Sequence, residues 1–278
     1  MTELVVRRLL IDLETPFARH WAGGDAFRTA WFNALSMSFP VGERFFIDSV
    51  KLGLKALPEA RREAMAGDIQ GFIGQEATHR RLHALFNGHL EAQGHVNAWA
   101  TRAARRLKRL EGVDPRAWVA ATAATEHITA IFAEWMLAHP ECLDGAEPRL
   151  RTLWTWHAAE EAEHRAIAFD LYTVMGGSEL WRHRFMRIVT VHFLGDVFRQ
   201  TLRNLWHDGE LWRWRTWRSG WQLLFARGGL IRDIYRPWKR YFAPGFHPSQ
   251  QDASAAERWL RENGGAYAVV GRAAGSVI

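Results

Sequence analysis

What the chain lacks narrows its class first. Among 278 residues there is a single cysteine, Cys142. That excludes an intramolecular disulfide framework and any zinc or iron–sulfur motif built on cysteines. One thiol suits a reducing compartment, so a cytoplasmic location is expected, with attachment at a membrane surface left open. No uncharged apolar run reaches the ~18 residues that a spanning helix requires. The opening MTELVVRRLLIDLETP has no basic segment leading into an apolar run, so a signal peptide is not expected. No recognised nucleic-acid module occurs, and nucleic acid is not expected as a partner.

Against these absences stand 48% hydrophobic residues, 15 tryptophans and 13 histidines. The net charge of +6 is unevenly placed: Gly176 to Pro244 holds 13 Lys and Arg against 5 Asp and Glu, giving +8 and leaving −2 for the rest. A basic C-terminal region is attached to a near-neutral body.

The histidines are patterned. In WTWHAAEEAEHRAIAFD, residues Trp154–Asp170, lie His157, Glu161 and His164. At about 100° per helical residue, Glu161 and His164 fall about 60° apart, with His157 about 40° from Glu161 and 20° from His164. Three metal-capable side chains therefore share one face. The stretch Phe72–Phe86, FIGQEATHRRLHALF, carries Glu76, His79 and His83 in the same manner. Each Glu-x-x-His is preceded by a helical stretch with one solitary glutamate: Glu43 in FPVGERFFIDSVKLGL, and Glu126 in AWVAATAATEHITAIFAEWML. Two single glutamates and two Glu-x-x-His pairs are the sequence form of a dimetal carboxylate centre in a four-helix bundle.

The helices follow from caps and breakers. Asp25 caps a first helix running to about Leu57, with Pro40 a point of kinking or breakage. Pro58 opens a second that ends near Gly94, and Pro115 opens a third. Residues 101–113 form a basic linker able to be helical on its own. A fourth helix is expected from Glu147 to Met175, stopped by Gly176-Gly177. Glu43 and Glu76 are 33 residues apart, Glu126 and Glu161 35, and Glu76 and Glu126 50. Two hairpins joined by a longer crossover make the expected class all-α: a ferritin-like four-helix bundle with additional C-terminal helices. The expected organisation is an N-terminal arm at 1–24, the dimetal bundle at 25–177, and a basic, Trp-rich helical extension at 178–278 packed on it. The arm reads as either a short strand or a helix. Beyond Pro248 the pattern suggests a short helix, Ala253–Glu262, then a mobile Gly/Ala-rich end.

Each piece has a plainer reading. A lone Glu-x-x-His is commonly surface chemistry, Glu160, Glu161 and Glu163 fit a solvated face, His83 and His127 fit satisfied core positions, and Glu126 fits an arginine partner. The joint pattern outweighs them. Four carboxylates carry −4 and offset two divalent cations, which makes burial of both tolerable. Mixed carboxylate and imidazole donors favour iron, with manganese and zinc open. Imidazole ligands need an acceptor on the second nitrogen. Gln75 and Glu160, each just before a ligand glutamate, are expected to reach the histidine of the opposite helix, and His83 is expected behind the ligands.

Four runs, FPVGERFFIDSV, FIGQEATHRRLH, HAAEEAEHRAIAFDLY and RPWKRYFAPGFHP, resemble a bacterial family described as predicted metal-dependent hydrolases. The ligand pattern is also similar to that of ferritin-like di-iron oxygenases, and His157-x-x-x-Glu161-x-x-His164 resembles the three-histidine arylamine N-oxygenases among them. By that resemblance Glu43, Glu76, His79, Glu126, Glu161 and His164 are metal ligands, with His157 an additional one. The function expected is O2-dependent oxidation of a small or lipid-like substrate by two iron ions, with an electron donor as partner. The alternative is a hydrolase using a dimetal-activated water. Iron storage is a third class, for which the Trp-rich extension has no use.

Leu180–Trp206 reads as a fifth helix. Next, DGELWRWRTWRSGWQLLF interleaves Trp212, Trp214, Trp217 and Trp221 with Arg213, Arg215 and Arg218. A helix packed on the bundle under its arginine stems is the expectation, and membrane contact through 206–221 is the sharper alternative.

Overall fold

The structure, a computed structural model, describes residues 4–270. The chain is all-α apart from one short antiparallel pairing. Helix α1 (Ala26–Lys55) starts at Asp25, whose side chain accepts from the Arg28 amide, and continues unbroken through Pro40. Helix α2 (Glu59–Ala92) returns alongside it. Helix α3 (Ala98–Leu107), with the 3-10 turn Lys108–Leu110, occupies the crossover. Helix α4 (Pro115–Ala138) opens with proline in its first turn, where a missing N–H costs nothing. It pairs with α5 (Pro148–His164).

The fourth predicted helix is not continuous. It ends at His164, and α6 (Ile167–Val174) resumes after Arg165 and Ala166. The buried Arg165 guanidinium donates to Glu134 on α4 and to the Gln251 carbonyl. These contacts lie outside any local pattern.

Helix α7 (Glu179–His207), capped by Ser178, packs on α1 and α4. Helices α8 (Trp214–Phe225), α9 (Leu230–Arg240) and α10 (Ser254–Glu262) lie against α1, α4 and α5 respectively. Helix α8 approaches α1 closely because position 220 is glycine: a Cβ there would meet the Phe27 ring at 2.5 Å. The helix packs on α1 with Trp217 against Phe27, but the other tryptophans of 206–221 face outward. Trp212 is 90% exposed, Trp214 75%, Trp206 74% and Trp221 60%. The buried face of α8 is made by Thr216, Gly220 and Leu223.

The N-terminal arm is a strand. Strand β1 (Arg7–Leu9) pairs antiparallel with β2 (Tyr267–Val269), Arg8 opposite Ala268. The expected mobile end is thus ordered through β2, and 271–278 lie outside the described residues. The arm seats on α2 at Gly74, where a Cβ would stand 2.4 Å from Val6.

Apolar packing forms on both sides of a polar layer. One cluster gathers Phe32, Phe86, Trp154 and Trp156, and the other Phe46, Val50, Phe72 and Leu171. No helix among the described residues is long and apolar enough to cross a membrane.

Candidate metal centre

The polar layer is made by the patterned residues. Helix α1 contributes Glu43, α2 contributes Glu76 and His79, α4 contributes Glu126, and α5 contributes His157, Glu161 and His164. Helical spacing of three and four stacks each set on one face, and all seven are buried. Helices α2 and α5 run antiparallel: Phe72 lies against His164, His79 against Glu160 and His83 against His157.

The seven converge. Glu76, His79, Glu161 and His164 each bring a donor atom within 4.8 Å of the others, and Glu43, His79 and His157 do likewise. Glu126 joins through its Oε2, 2.9 Å from His164 Nδ1. His157 Nε2 stands 2.9 Å from Glu161 Oε1, and His164 Nε2 stands 3.4 Å from Glu76 Oε1.

Many of these donor atoms have no protein partner. Both carboxylate oxygens of Glu43 and of Glu76, Oε1 of Glu126, Oε2 of Glu161, Nδ1 of His79 and Nε2 of His164 are buried without a hydrogen bond. Scattered through a core, such atoms would each cost on the order of 1–3 kcal/mol. Gathered at one point, with oxygen and nitrogen but no sulfur, they fit divalent iron, manganese or zinc.

The family model described as "Predicted metal-dependent hydrolase" matches residues 5–252. The chain belongs to this family. No curated protein and no solved structure matches it. The buried glutamates and histidines are groups able to hold the metal on which the family's description depends.

Hydrogen bonds set the imidazole tautomers. Asn87 Nδ2 donates to the Ser36 carbonyl at 2.9 Å, so its Oδ1 faces Ser36 Oγ and accepts the hydroxyl proton at 2.8 Å. Ser36 Oγ must then accept from His83 Nδ1, 2.9 Å away. His83 Nε2 is left as an acceptor for His157 Nδ1–H at 2.6 Å. The His157 Nε2 lone pair consequently points at the centre. His83, expected behind the candidate ligands, is buried between Ser36 and His157. His79 is oriented similarly, donating through Nε2 to Glu160 Oε2 at 2.9 Å and turning Nδ1 inward.

Gln75 does not mirror Glu160. Its amide donates to the Val5 carbonyl and to Glu163 Oε2, both at 3.0 Å, and leaves His164 alone. His164 takes Glu126 in its place, which also answers the expectation that Glu126 meets an arginine. The missed residue is Arg7. Its guanidinium lies 3.1 Å from Glu160 Oε1 and 2.6 Å from Glu163 Oε2, placing a cation behind the His79–Glu160 pair. No sequence signal marks it, since 153 positions separate Arg7 from Glu160. His127 is a core histidine, its Nε2 beside the Pro237 carbonyl, its ring against Tyr241 and Phe246, and its Nδ1 buried without a partner.

Electrostatics show what the negative cluster does without cations. Burial holds the Glu43 and Glu76 carboxyls well above their ordinary range, and neighbouring carboxylates push Glu76 further. Burial pushes Glu126 up to about 7, against the pull of His164. Burial works against a charged His79, yet Glu160 and Glu161 overcome it and raise the imidazole to about 10. His83 and His157 are lowered by burial, His157 to about 4, and stay neutral. Protons thus occupy positions that metal ions would take.

A cavity of about 670 Å³ opens beside the centre, with Glu43 and Glu161 in its wall. Phe39, Phe45, Phe46, Trp99, Phe185 and Phe193 line much of the remainder.

Proposed function

We propose that the protein is a two-metal enzyme acting on an apolar substrate. Glu43, Glu76, His79, Glu126, Glu161 and His164 are the proposed ligands, with His157 as a further one. The observation behind this reading is the set of unpartnered donor atoms gathered at one wall of an apolar cavity. Glu43 and Glu161 belong to both features, so a substrate in the cavity meets the centre at these two side chains. Glu160 and His83 would orient His79 and His157.

Hydrolysis is the reaction that the family's description backs. Bound divalent cations would supply an acidified water and polarise a carbonyl or phosphoryl oxygen. The chain's own part is to exclude bulk water through the aromatic walls and to offer carboxylates beside the reacting group.

A second reading, O2-dependent oxidation by two iron ions with an electron donor as partner, rests on a different observation. The donors lie on four helices rather than on loops, four of them are glutamates, and the cavity wall beside them is largely hydrocarbon. One experiment separates the two. Metal content is measured on the purified chain, and turnover of apolar aryl esters is compared with O2 consumption by the reduced, iron-loaded protein. Ester cleavage that is indifferent to O2 establishes the hydrolase; O2 uptake without ester cleavage establishes the oxidase.

The exposed tryptophans belong to the same reading. Trp212, Trp214 and Trp221 stand largely exposed among Arg213, Arg215 and Arg218, a pairing suited to an anionic lipid surface. An apolar substrate is most concentrated there.

A further inference from the structure

The cavity changes character along its length. Its inner wall carries the buried Glu43 and Glu161, and its outer wall carries Arg106, Arg109, Arg184 and His192. Between these ends the side-chain polar groups are already spent. Ser38 Oγ donates to the Leu35 carbonyl, Thr125 Oγ1 to Ala121, and Thr129 Oγ1 to Glu126, each a carbonyl of its own helix. A ligand filling the middle therefore finds mostly hydrocarbon walls and no side-chain hydroxyl proton to accept, which suits a hydrocarbon chain there.

The outer end differs. Arg106 is held with Arg102 on the buried Asp196 carboxylate. Arg109, on the 3-10 turn after α3, and Arg184, on α7, form no ion pair with any described residue. Both are solvent-exposed. Their guanidinium groups stay charged at any relevant pH and bind carboxylates in a forked geometry. No acidic residue lines the outer end of the cavity.

We propose that the cavity takes a long-chain carboxylate, head outward: Arg109 and Arg184 hold the carboxylate at the mouth while the acyl chain runs inward to Glu43 and Glu161. This deepens the two-metal reading and rests on it for the chemistry at the inner end, although the binding itself needs no metal. The polarity gradient favours this orientation, since the inner wall offers Glu43 and Glu161 and no arginine or lysine, whereas the outer end offers two unpaired guanidinium groups. The group presented to the centre is consequently a chain carbon remote from the head. A hydrolysable substrate of this class carries its ester within the chain, whereas an oxidisable one needs only C–H bonds.

The test uses the full chain, as isolated and after chelation of metal. A fluorescent conjugated polyene fatty acid is bound, then displaced by palmitate, by hexadecanol and by a hexadecyl trimethylammonium salt. Palmitate is expected to displace the probe at concentrations at least about tenfold lower than hexadecanol, the margin a charge-assisted pair provides, and the cation is expected to compete worst. The double variant Arg109→Ala/Arg184→Ala should lose that preference and leave hexadecanol unchanged. Filling the cavity with Ala121→Phe should abolish all three. Equal competition by acid and alcohol in the unaltered chain, or an unaltered preference in the double variant, overturns the proposal. Palmitate binding in a chain that holds no metal under any loading condition would instead refute the two-metal reading and leave this one standing. Two bound metals with no carboxylate preference would do the reverse.

Discussion

His83 Nε2 lies 2.6 Å from His157 Nδ1, and the direction of that hydrogen bond is set two residues further back, by the Asn87 amide acting through Ser36. The arrangement leaves Nε2, 2.9 Å from Glu161 Oε1, as the His157 nitrogen that a metal would take. An orienting acceptor of this kind is worth about 10–100-fold in metal affinity. His83→Ala should therefore leave two metals bindable at saturation but weaken one of them by that factor. His83→Gln, whose carbonyl can accept the same proton, should recover part of the loss. His157→Ala should weaken the same metal more strongly. Metal retained per chain against a graded chelator series reads all three, and a His157→Ala variant with full affinity removes His157 from the ligand set.

Metal uptake should release protons and strengthen with pH. The ligand form of a carboxyl is ionised, and burial raises Glu126 to about 7 and Glu43 and Glu76 well above their ordinary range. Affinity should thus increase across the neutral range, and proton release in weakly buffered calorimetry should be positive and larger at the lower pH.

The stability of the metal-free chain should move the opposite way. His79 is raised from 6.5 to about 10, so its contribution is fully present below 6.5 and is lost as pH rises through 10. Glu126, raised from 4.5 to about 7, loses its contribution as pH passes 7. Between about pH 6.5 and 9.5 the metal-free protein should lose on the order of a few kcal/mol, while the metal-loaded protein changes little. Denaturant midpoints at matched pH test this; a metal-free form that gains stability over that window contradicts the assignment.

Arg7→Ala should cost roughly 3 kcal/mol of stability, because it strands the buried Glu160 without its cation. The effect should extend to the metal, since Glu160 orients His79. Arg7→Lys keeps the charge but loses the fork that spans Glu160 and Glu163, and should fall between. Urea denaturation and metal retention on the same preparations measure both consequences.

Replacing Trp212, Trp214 and Trp221 together by Ser should leave folding intact, as the three side chains are largely solvent-exposed. Flotation with vesicles containing phosphatidylserine should show the unaltered chain bound, more weakly at high salt, and the triple variant free. Equal flotation of both would exclude this surface as the lipid contact.

The sequence by itself named the candidate residues of the buried cluster and the helices that bear them. Glu76–His79 and Glu161–His164 became adjacent through helix geometry alone, and Asp25 before α1, Pro115 at the start of α4 and Gly176 after α6 marked helix ends by local chemistry. The antiparallel order of α2 and α5 followed from a hairpin and crossover count, which placed His83 and His157 at the same end. What lay outside local chemistry was decided by the tertiary structure. Arg7 reaches Glu160 only because β1 pairs with β2 and the arm settles on Gly74. The fourth helix breaks after His164 beside the arginine that Glu134 and Gln251 bind from elsewhere in the chain. Gln75 turned to the arm and away from His164 because Val5 and Glu163 were nearer partners. On the Trp-rich helix Gly220 and Trp217 meet Phe27 of α1, which leaves Trp214 and Trp221 on the outer face. The cavity exists only where α1, α3, α4 and α7 fail to close on one another, a property of how helices meet that no periodicity within one of them encodes.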